Sequence, residues 1–142
     1  MTEMKDAVTT VKTLLSTYFD TDNITDESEP EWVETAFKLV NNDTYEAKIY
    51  KRVTDLSEIG RGSHFDQSDL VTIDLRGRAK SDTTFNEIRN EIYRVLAVYR
   101  TAPGGGYHYL RWVNEENLSF RGHNFLRIQI DIELNRYGVS KE

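Results

Sequence analysis

The sequence lacks several features that would place it in a common functional class. It has no cysteine, so its 142 residues hold no disulfide, no catalytic thiolate and no cysteine-ligated zinc ion. It has no apolar run near the roughly 18 residues that a membrane-spanning helix needs. Residues 1–6 carry charges of both signs and precede no apolar segment, so we expect no secretory signal. These absences predict a soluble protein that stays where it is made and does not contact a membrane.

The charge balance argues against a protein whose main task is to hold nucleic acid. The formal net charge is −6, whereas phosphate binding depends on clustered lysine and arginine. Hydrophobic residues make up 38% of the chain and charged residues 30%, a composition that suits a small domain with a large surface. The length predicts one domain, residues 1–142, which buries roughly two-thirds of its unfolded surface.

Residues 70–99 give the clearest structural signal, a strand that leads into an amphipathic helix. Val71, Ile73 and Leu75 alternate with polar residues, which predicts a strand with one solvated face. Thr84 and Glu87 have the spacing of a capping box, so we expect the helix to start there. Apolar residues at steps of three and four then form one stripe to the end of this helix: Phe85, Ile88, Ile92, Leu96 and Tyr99.

The remaining elements follow from the same periodicities. Helical spacing predicts a first helix from about residue 2 to 18, and the alternation in residues 125–134 predicts a central strand. Residues 45–53 also alternate, and residues 107–113 are rich in aromatics. Both are predicted as strands, the second ended by a turn at 114–117. Residues 31–40 fit either a helix or a strand.

Three segments lack an apolar pattern. Residues 20–30 are acidic and are predicted to form a mobile, solvated loop, and residues 56–69 are predicted to form a flexible polar loop. Residues 136–142 are predicted to form a loose tail. The order helix, strand, strand, helix, strand, strand therefore predicts an α+β fold. It is a two-layer sandwich in which a mainly antiparallel sheet of four or slightly more strands packs on two helices.

No arrangement of residues in the sequence is typical of catalysis. The three histidines, His64, His108 and His123, lack the i, i+4 spacing of a helical metal site. Residues 103–106 follow a helix and lack the lysine of a phosphate-binding loop. We therefore predict a non-enzymatic protein with no catalytic residues, no cofactor and no metal.

The solvated face of the strands carries arginines that alternate with carboxylates, as in Arg111 and Arg127 beside Asp131 and Glu133. Two interpretations remain open: cross-strand charge pairing, or an interface, since tyrosine and arginine are enriched where proteins meet. The interface hypothesis names these candidate residues: Arg61, His64, Phe65, Arg76, Tyr107, Tyr109, Arg111 and Arg127.

Four stretches of the chain, in this order, resemble the tail terminator (tail completion) proteins of long-tailed bacterial and archaeal viruses. They are an N-terminal amphipathic helix, the run SDLVTIDLRGR, the helix TFNEIRNEIYRVL and the closing FLRIQIDIELNRYG. The resemblance covers residues 69–138 best.

The resemblance implies a structural virion protein that forms a homo-hexameric ring on the head-proximal end of the tail tube. Its implied partners are further copies of itself, the major tail tube protein and a head-completion or connector protein. Genomic DNA would pass through the lumen without specific binding, and the ring would be assembled in the host cytoplasm and located in the virion neck. The alternatives are another neck or head–tail connector subunit, or a small non-viral ligand-binding or regulatory α+β module.

Overall fold

The computed structural model describes residues 6–35, 44–59, 64–79, 82–120 and 124–140. The described elements, in chain order, are α1 (Ala7–Tyr18), β1 (Glu31–Val33), β2 (Thr44–Ile59), β3 (His64–Arg78), α2 (Thr83–Val98), β4 (Tyr109–Asn117) and β5 (Phe125–Ser140). A single 3₁₀ turn, Thr21–Asn23, follows α1. No helix in the described ranges is long and apolar enough to span a membrane.

The strands form one five-stranded sheet in the order β1-β2-β3-β5-β4. β1 runs parallel to β2, and all other neighbours are antiparallel. The predicted α+β fold, a sheet packed on two helices, is confirmed. The additional strand is β1, which comes from the region whose periodicity fitted either a helix or a strand; residues 36–40 of that region lie outside the described ranges.

The core lies between the helices and one face of the sheet, here called the helix face. At its centre Ile73 of β3 pairs with Ile49 of β2 and Ile130 of β5, and all three are fully buried. The helices add the predicted apolar stripes, including Val11 and Leu15 of α1 and Phe85, Ile88, Ile92 and Leu96 of α2. The alternation of β3 and β5 therefore predicted correctly which side chains face the helices. On the opposite face of β3, where a solvated surface was predicted, Thr72 and Asp74 are buried as well.

Helix α1 begins at Ala7, later than the predicted start near residue 2. Asp6 has an extended backbone, and its carboxylate accepts a hydrogen bond from the backbone N–H of Thr9 at 2.7 Å. Such a side-chain cap satisfies one of the amides that have no partner within the helix. Residues 1–5 lie outside the described ranges.

The predicted capping box of α2 is wrong. The helix begins at Thr83, and both residues of the expected box bind the segment 20–30 instead. The Thr84 hydroxyl donates to Asp26 at 3.1 Å, and the Glu87 carboxylate accepts from the backbone N–H of Thr25 at 2.6 Å. Contacts of Thr84 and Glu87 with the 20–30 segment thus take the place of the predicted hydrogen bonds within the first turn of α2.

Glu91 of α2 anchors the same acidic segment. Its buried carboxylate accepts from the backbone N–H of Asp20 and the side-chain amide of Asn23, both at 2.8 Å, and from the Arg94 guanidinium at 2.7 Å. Ile24, between these contacts, is buried in the core. The segment predicted as a solvated loop is mostly exposed but is attached to α2 at several points; its mobility remains a prediction.

Four of the strands extend beyond their predicted ends. β2 and β3 pair as far as Ile59 and His64, where a flexible loop over 56–69 is predicted. β5 continues to Ser140, in place of the predicted loose tail from residue 136, and β4 runs through the predicted turn at 114–117. These extensions carry little apolar alternation and are held by backbone pairing to their neighbours. We call residues 53–59, 64–69 and 135–140 the arm.

The sheet has two β-bulges at one level. In β2 the extra residue is Arg52, and in β4 it is Val113. The residues just before the bulges, Lys51 and Trp112, are connected across the sheet by the paired residues Val71 and Ile132. At this level the β3–β5 pairing between the two bulges is regular; its own register shift lies further along, between Phe65 and Gln67 of β3.

We predict that Glu91→Ala lowers the free energy of unfolding by about 2 kcal/mol, because it leaves amide donors of the 20–24 segment without their acceptor. Urea denaturation measures the change. Glu34→Ala is the matched control, since Glu34 forms an exposed ion pair with Lys12 at 3.6 Å and such pairs contribute about 0.5 kcal/mol or less. Equal effects of the two variants would contradict an anchoring role for Glu91.

The same carboxylate makes the stability depend on pH. Burial raises the pKa of Glu91, but hydrogen bonds from Arg94, Asp20 and Asn23 outweigh burial and lower that pKa below its ordinary 4.5. The ionised form is therefore stabilising above the unfolded-state pKa, and that stability is lost as the pH falls through the folded-state pKa. We expect the stability difference between the native chain and Glu91→Gln to shrink between neutral pH and about pH 3. A constant difference would be inconsistent with this linkage.

Candidate functional site

The sheet face opposite the helices, here called the open face, is organised around Asp74 of β3. Asp74 is only 2% exposed, although no helix covers this face in the described part of the chain. The Arg127 guanidinium on β5 donates to both of its carboxylate oxygens, at 3.1 and 2.9 Å, and Arg76 approaches it at 3.4 Å. Two arginines on adjacent strands therefore cover and neutralise one buried carboxylate.

A second set of polar contacts continues across the open face. The Arg52 guanidinium donates to the Thr72 hydroxyl at 2.6 Å, and that hydroxyl donates to Asp131 at 2.5 Å. At the edge of the sheet, Arg111 of β4 donates to both carboxylate oxygens of Glu133 at 3.1 Å. The hydrogen bond from Arg111 lowers the pKa of Glu133 below its ordinary value, and it outweighs the opposing effect of burial. The hypothesis of cross-strand charge pairing is confirmed; the interface role stays a prediction.

Tyr107, one of the candidate interface residues, does not lie on the open face. It is 5% exposed, and its hydroxyl donates to Asp69 at the base of the arm. The same carboxylate accepts from the Thr54 hydroxyl at 2.5 Å and from the Gln67 amide at 2.7 Å. Tyr107 is buried because it packs beside β3 at the level of Asp69. Beyond Val71 the buried side chains on the helix face of β3 are polar, and Asp69 is the first of them.

The glycine run 104–106 positions Tyr107. All three glycines have positive φ, and a Cβ on Gly105 would lie 2.0 Å from the Thr10 hydroxyl oxygen of α1. The Gly105 carbonyl accepts from Arg136 at 3.3 Å, and that guanidinium lies over the Tyr107 ring, 4.4 Å from its centroid. Burial, with the hydrogen bond to Asp69, raises the pKa of the Tyr107 phenol. The phenol is therefore a neutral donor at physiological pH.

An exposed aromatic group lies beside this cluster. Tyr137 of β5 stacks on His108, and its hydroxyl donates to the Tyr109 hydroxyl at 2.6 Å. The backbone N–H of Tyr137 donates to Nδ1 of His108 at 2.9 Å, which leaves the Nε2 of that ring free to carry the proton. Tyr109 was predicted as an interface residue, whereas Tyr137 was missed because it falls in the expected tail.

β4 is joined to α2 on the helix face. Trp112 lies 5.6 Å from the Tyr93 ring, and Arg89 of α2 forms an ion pair with Glu115. Trp112 and Val113 nevertheless remain 39% and 48% exposed at the sheet edge. β4 is thus held against α2, while Trp112 and Val113 remain accessible to solvent at the sheet edge.

Three of the predicted interface residues cannot be placed. Arg61 lies outside the described ranges, and of His64 and Phe65 only the backbone is described. Within the ranges that are described, no group of three or more histidine, aspartate or glutamate side chains is arranged to hold a metal ion. Of the other candidate interface residues, Arg76 and Arg127 meet at Asp74, and Tyr109 and Arg111 lie on β4.

We predict that Arg127→Met lowers the free energy of unfolding by about 3 kcal/mol, because Asp74 would remain buried without its main counter-ion. Arg111→Met is the matched control, since the Arg111 side chain is 61% exposed and its pairing with Glu133 is solvated. We expect no measurable change for that variant. If thermal unfolding showed the opposite order, the assignment of Asp74 as the structural centre of the open face would be wrong.

Tyr107→Phe tests the cluster at the base of the arm. Removal of one hydroxyl leaves Asp69 buried with one donor fewer, so we expect a loss of about 2 kcal/mol in chemical denaturation. Tyr109→Phe removes a hydroxyl whose partner is the exposed Tyr137, and it should leave stability unchanged. A Tyr107→Phe variant as stable as the native chain would show that Thr54 and Gln67 alone satisfy the carboxylate.

Comparison with known proteins gives a structural similarity and no sequence match. No family model and no curated protein matches the chain. A chain in a solved structure described as the virion of a native gene transfer agent particle superposes with a TM-score of 0.52 at 11% identity, covering 94% of this chain and 87% of that one. At this identity the likeness concerns the fold: the present chain has the fold of a chain found in that particle.

Proposed function

We propose that this chain is a structural subunit of a virion, and specifically a tail terminator that forms a homo-hexameric ring on the head-proximal end of the tail tube. In that role the ring ends polymerisation of the tube and provides the surface for head–tail joining. The observation that supports the proposal most is the shared fold, over 94% of the chain, with a chain of the gene transfer agent virion. The stretches from residue 69 to 138 that resemble tail terminators lie within the strands and α2 of that fold.

The use of charge in the structure agrees with a role that depends on shape. Three buried carboxylates, Asp69, Asp74 and Glu91, are each bound by donors from other elements of the chain. Each of them joins a strand, a helix or a loop to its neighbour. Their geometry supports a structural role and gives none of them the partner arrangement of a general acid.

The proposed partners follow from the proposed position. One face of the ring would contact the major tail tube protein, and the other a head-completion or connector protein, so that the ring is located in the virion neck. The ring would be assembled in the host cytoplasm and would catalyse no reaction. A net charge of −6 suits a lumen through which DNA passes, because like charges repel the phosphates.

We predict that the purified chain forms closed rings, either alone or on tail tubes, because heterologous contacts that close generate rings. Native mass spectrometry and light scattering measure the stoichiometry. Electron microscopy of tail tubes mixed with the protein should show one cap at one end and no further growth of the tube. Arg127→Met at a temperature where it is unfolded is the negative control.

Other outcomes assign different functions. Rings that bind portal or head-completion proteins but not tubes would replace the terminator by another neck subunit. A monomer or dimer that ignores tubes and is stabilised by a small molecule would contradict the virion proposal.

We further predict that duplex DNA does not bind the ring at physiological salt. Fluorescence anisotropy with a short duplex should show no change, and lowering the salt should not produce the steep increase in affinity that counter-ion release gives. Tight, salt-dependent binding would exclude a passive lumen.

A further inference from the structure

The end of β5 is attached to the start of β4 through the side chain of His108. The β4–β5 ladder begins at the pair Tyr109 and Asn135, and Tyr137 lies beyond it. The backbone N–H of Tyr137 donates to Nδ1 of His108 at 2.9 Å, while the backbone N–H of His108 donates to the Asn135 carbonyl at 2.8 Å. A ring nitrogen therefore supplies the acceptor that a β-ladder ordinarily takes from a main-chain carbonyl.

The same part of β5 is irregularly paired to β3 on its other side. The register shifts there, so that Tyr137 and Gly138 both lie opposite Asp66. Such a bulge disrupts the ladder locally. Beyond it two pairs complete the described strand: Phe65–Val139 and His64–Ser140. The hydrogen bond to His108, with the stacking of its ring on Tyr137, thus attaches residues 137–140 to β4.

This hydrogen bond requires a neutral imidazole. A backbone N–H can only donate, so Nδ1 of His108 must offer its lone pair and the ring proton must be on Nε2. In an imidazolium both ring nitrogens carry protons, and Nδ1 would then direct an N–H at the N–H of Tyr137. Proton uptake by His108 therefore removes the bond directly.

The other described groups around the bond keep their charge between pH 8 and 5. The hydrogen bond with Tyr109, together with the nearby carboxylates of Asp66 and Glu133, raises the pKa of Tyr137 to about 12. Carboxyl groups ordinarily ionise below pH 5, and the guanidinium of Arg136, which lies over the Tyr107 ring, stays protonated. Histidine is the side chain that ordinarily changes charge in this range.

We propose that His108 is a pH-sensitive clamp on the arm: its neutral ring holds the end of β5 to β4, and protonation of the ring opens that contact as the pH falls. The change is confined to the end of the arm, because the pairing of β5 with β3 is regular from the pair Gln67–Arg136 to the core. The clamp is a property of the single subunit and does not depend on the proposed ring.

Hydrogen exchange of the backbone amides in the full chain tests the clamp. Protection is expressed as the exchange rate of an unstructured amide divided by the observed rate at the same pH. We expect the protection of the Tyr137 amide to fall about fivefold between pH 8 and 5, because one hydrogen bond of ordinary strength is lost. In NMR spectra, the Tyr137 amide and the His108 ring should shift with the same midpoint.

His108→Asn is the matched variant. The Oδ1 of asparagine lies the same number of bonds from the backbone as Nδ1 of histidine, and it accepts a hydrogen bond without taking up a proton in this range. We expect this variant to protect the Tyr137 amide equally at both pH values. His108→Phe keeps a ring that can stack on Tyr137 but offers no acceptor, so protection should be low at both. Circular dichroism should show an unchanged fold, because His108 is exposed.

The variants are needed because His64 is paired in the same arm and can also titrate. A loss of protection with falling pH that persists in His108→Asn would overturn the proposal, since another group would then cause it. A His108 ring that titrates while Tyr137 keeps its protection would overturn it as well. An equal loss at the amide of Ile130, in the core of β5, would show that acid opens the whole sheet and would contradict a local clamp.

Discussion

A sheet that helices cover on one face only must close its other face with its own side chains. Here that constraint is met at Asp74, a carboxylate at the centre of the open face that two arginines from adjacent strands cover. Because Arg127 comes from β5 and Arg76 from β3, the contact also fixes the register of the two central strands, whose apolar residues form the core on the other side. Because successive side chains of a strand point to opposite faces, one register places both the apolar core on the helix face and the ion pairs on the open face.

The acidic segment after α1 is also held by carboxylates that accept hydrogen bonds from another part of the chain. It cannot form a core of its own, since Ile24 is its one apolar residue between Asp20 and Pro30. It becomes part of the structure because Glu87 and Glu91 of α2 accept its backbone amides. An acidic loop bound by acidic side chains is possible because the loop contributes N–H donors, and Arg94 balances the charge at Glu91.

The sequence predicted those features that depend on burial, and missed those that depend on backbone pairing. The alternation of Ile128, Ile130 and Ile132 identified the core face of β5 correctly, since burial is what the pattern records. The arm was missed because its strands are held by their neighbours, and a strand whose buried side chains are polar, such as Asp69 and Asn135, resembles a loop. Alternating β-formers such as Tyr137 and Val139 were the available signal.

The ion pairs of the open face could be predicted from the sequence only in part. The charge pattern located the arginine–carboxylate pairs of the open face, but it could not tell a buried carboxylate from an exposed one. The sequence gives Asp74 and Glu133 equal weight, whereas the structure buries the first under two arginines and leaves the partner of the second in solvent. The burial of Tyr107 was missed because its position depends on three glycines with positive φ, and strand periodicity does not extend through such a turn.

The two bulges at Arg52 and Val113 have a mechanical consequence. An extra residue lengthens its strand locally, so β2 and β4 are longer than the β3–β5 pair between them at one level of the sheet. A bulge bends its strand and increases the local twist. Both bulges lie where the core-bearing half of the sheet meets the arm, so the bending and the added twist are concentrated at that boundary.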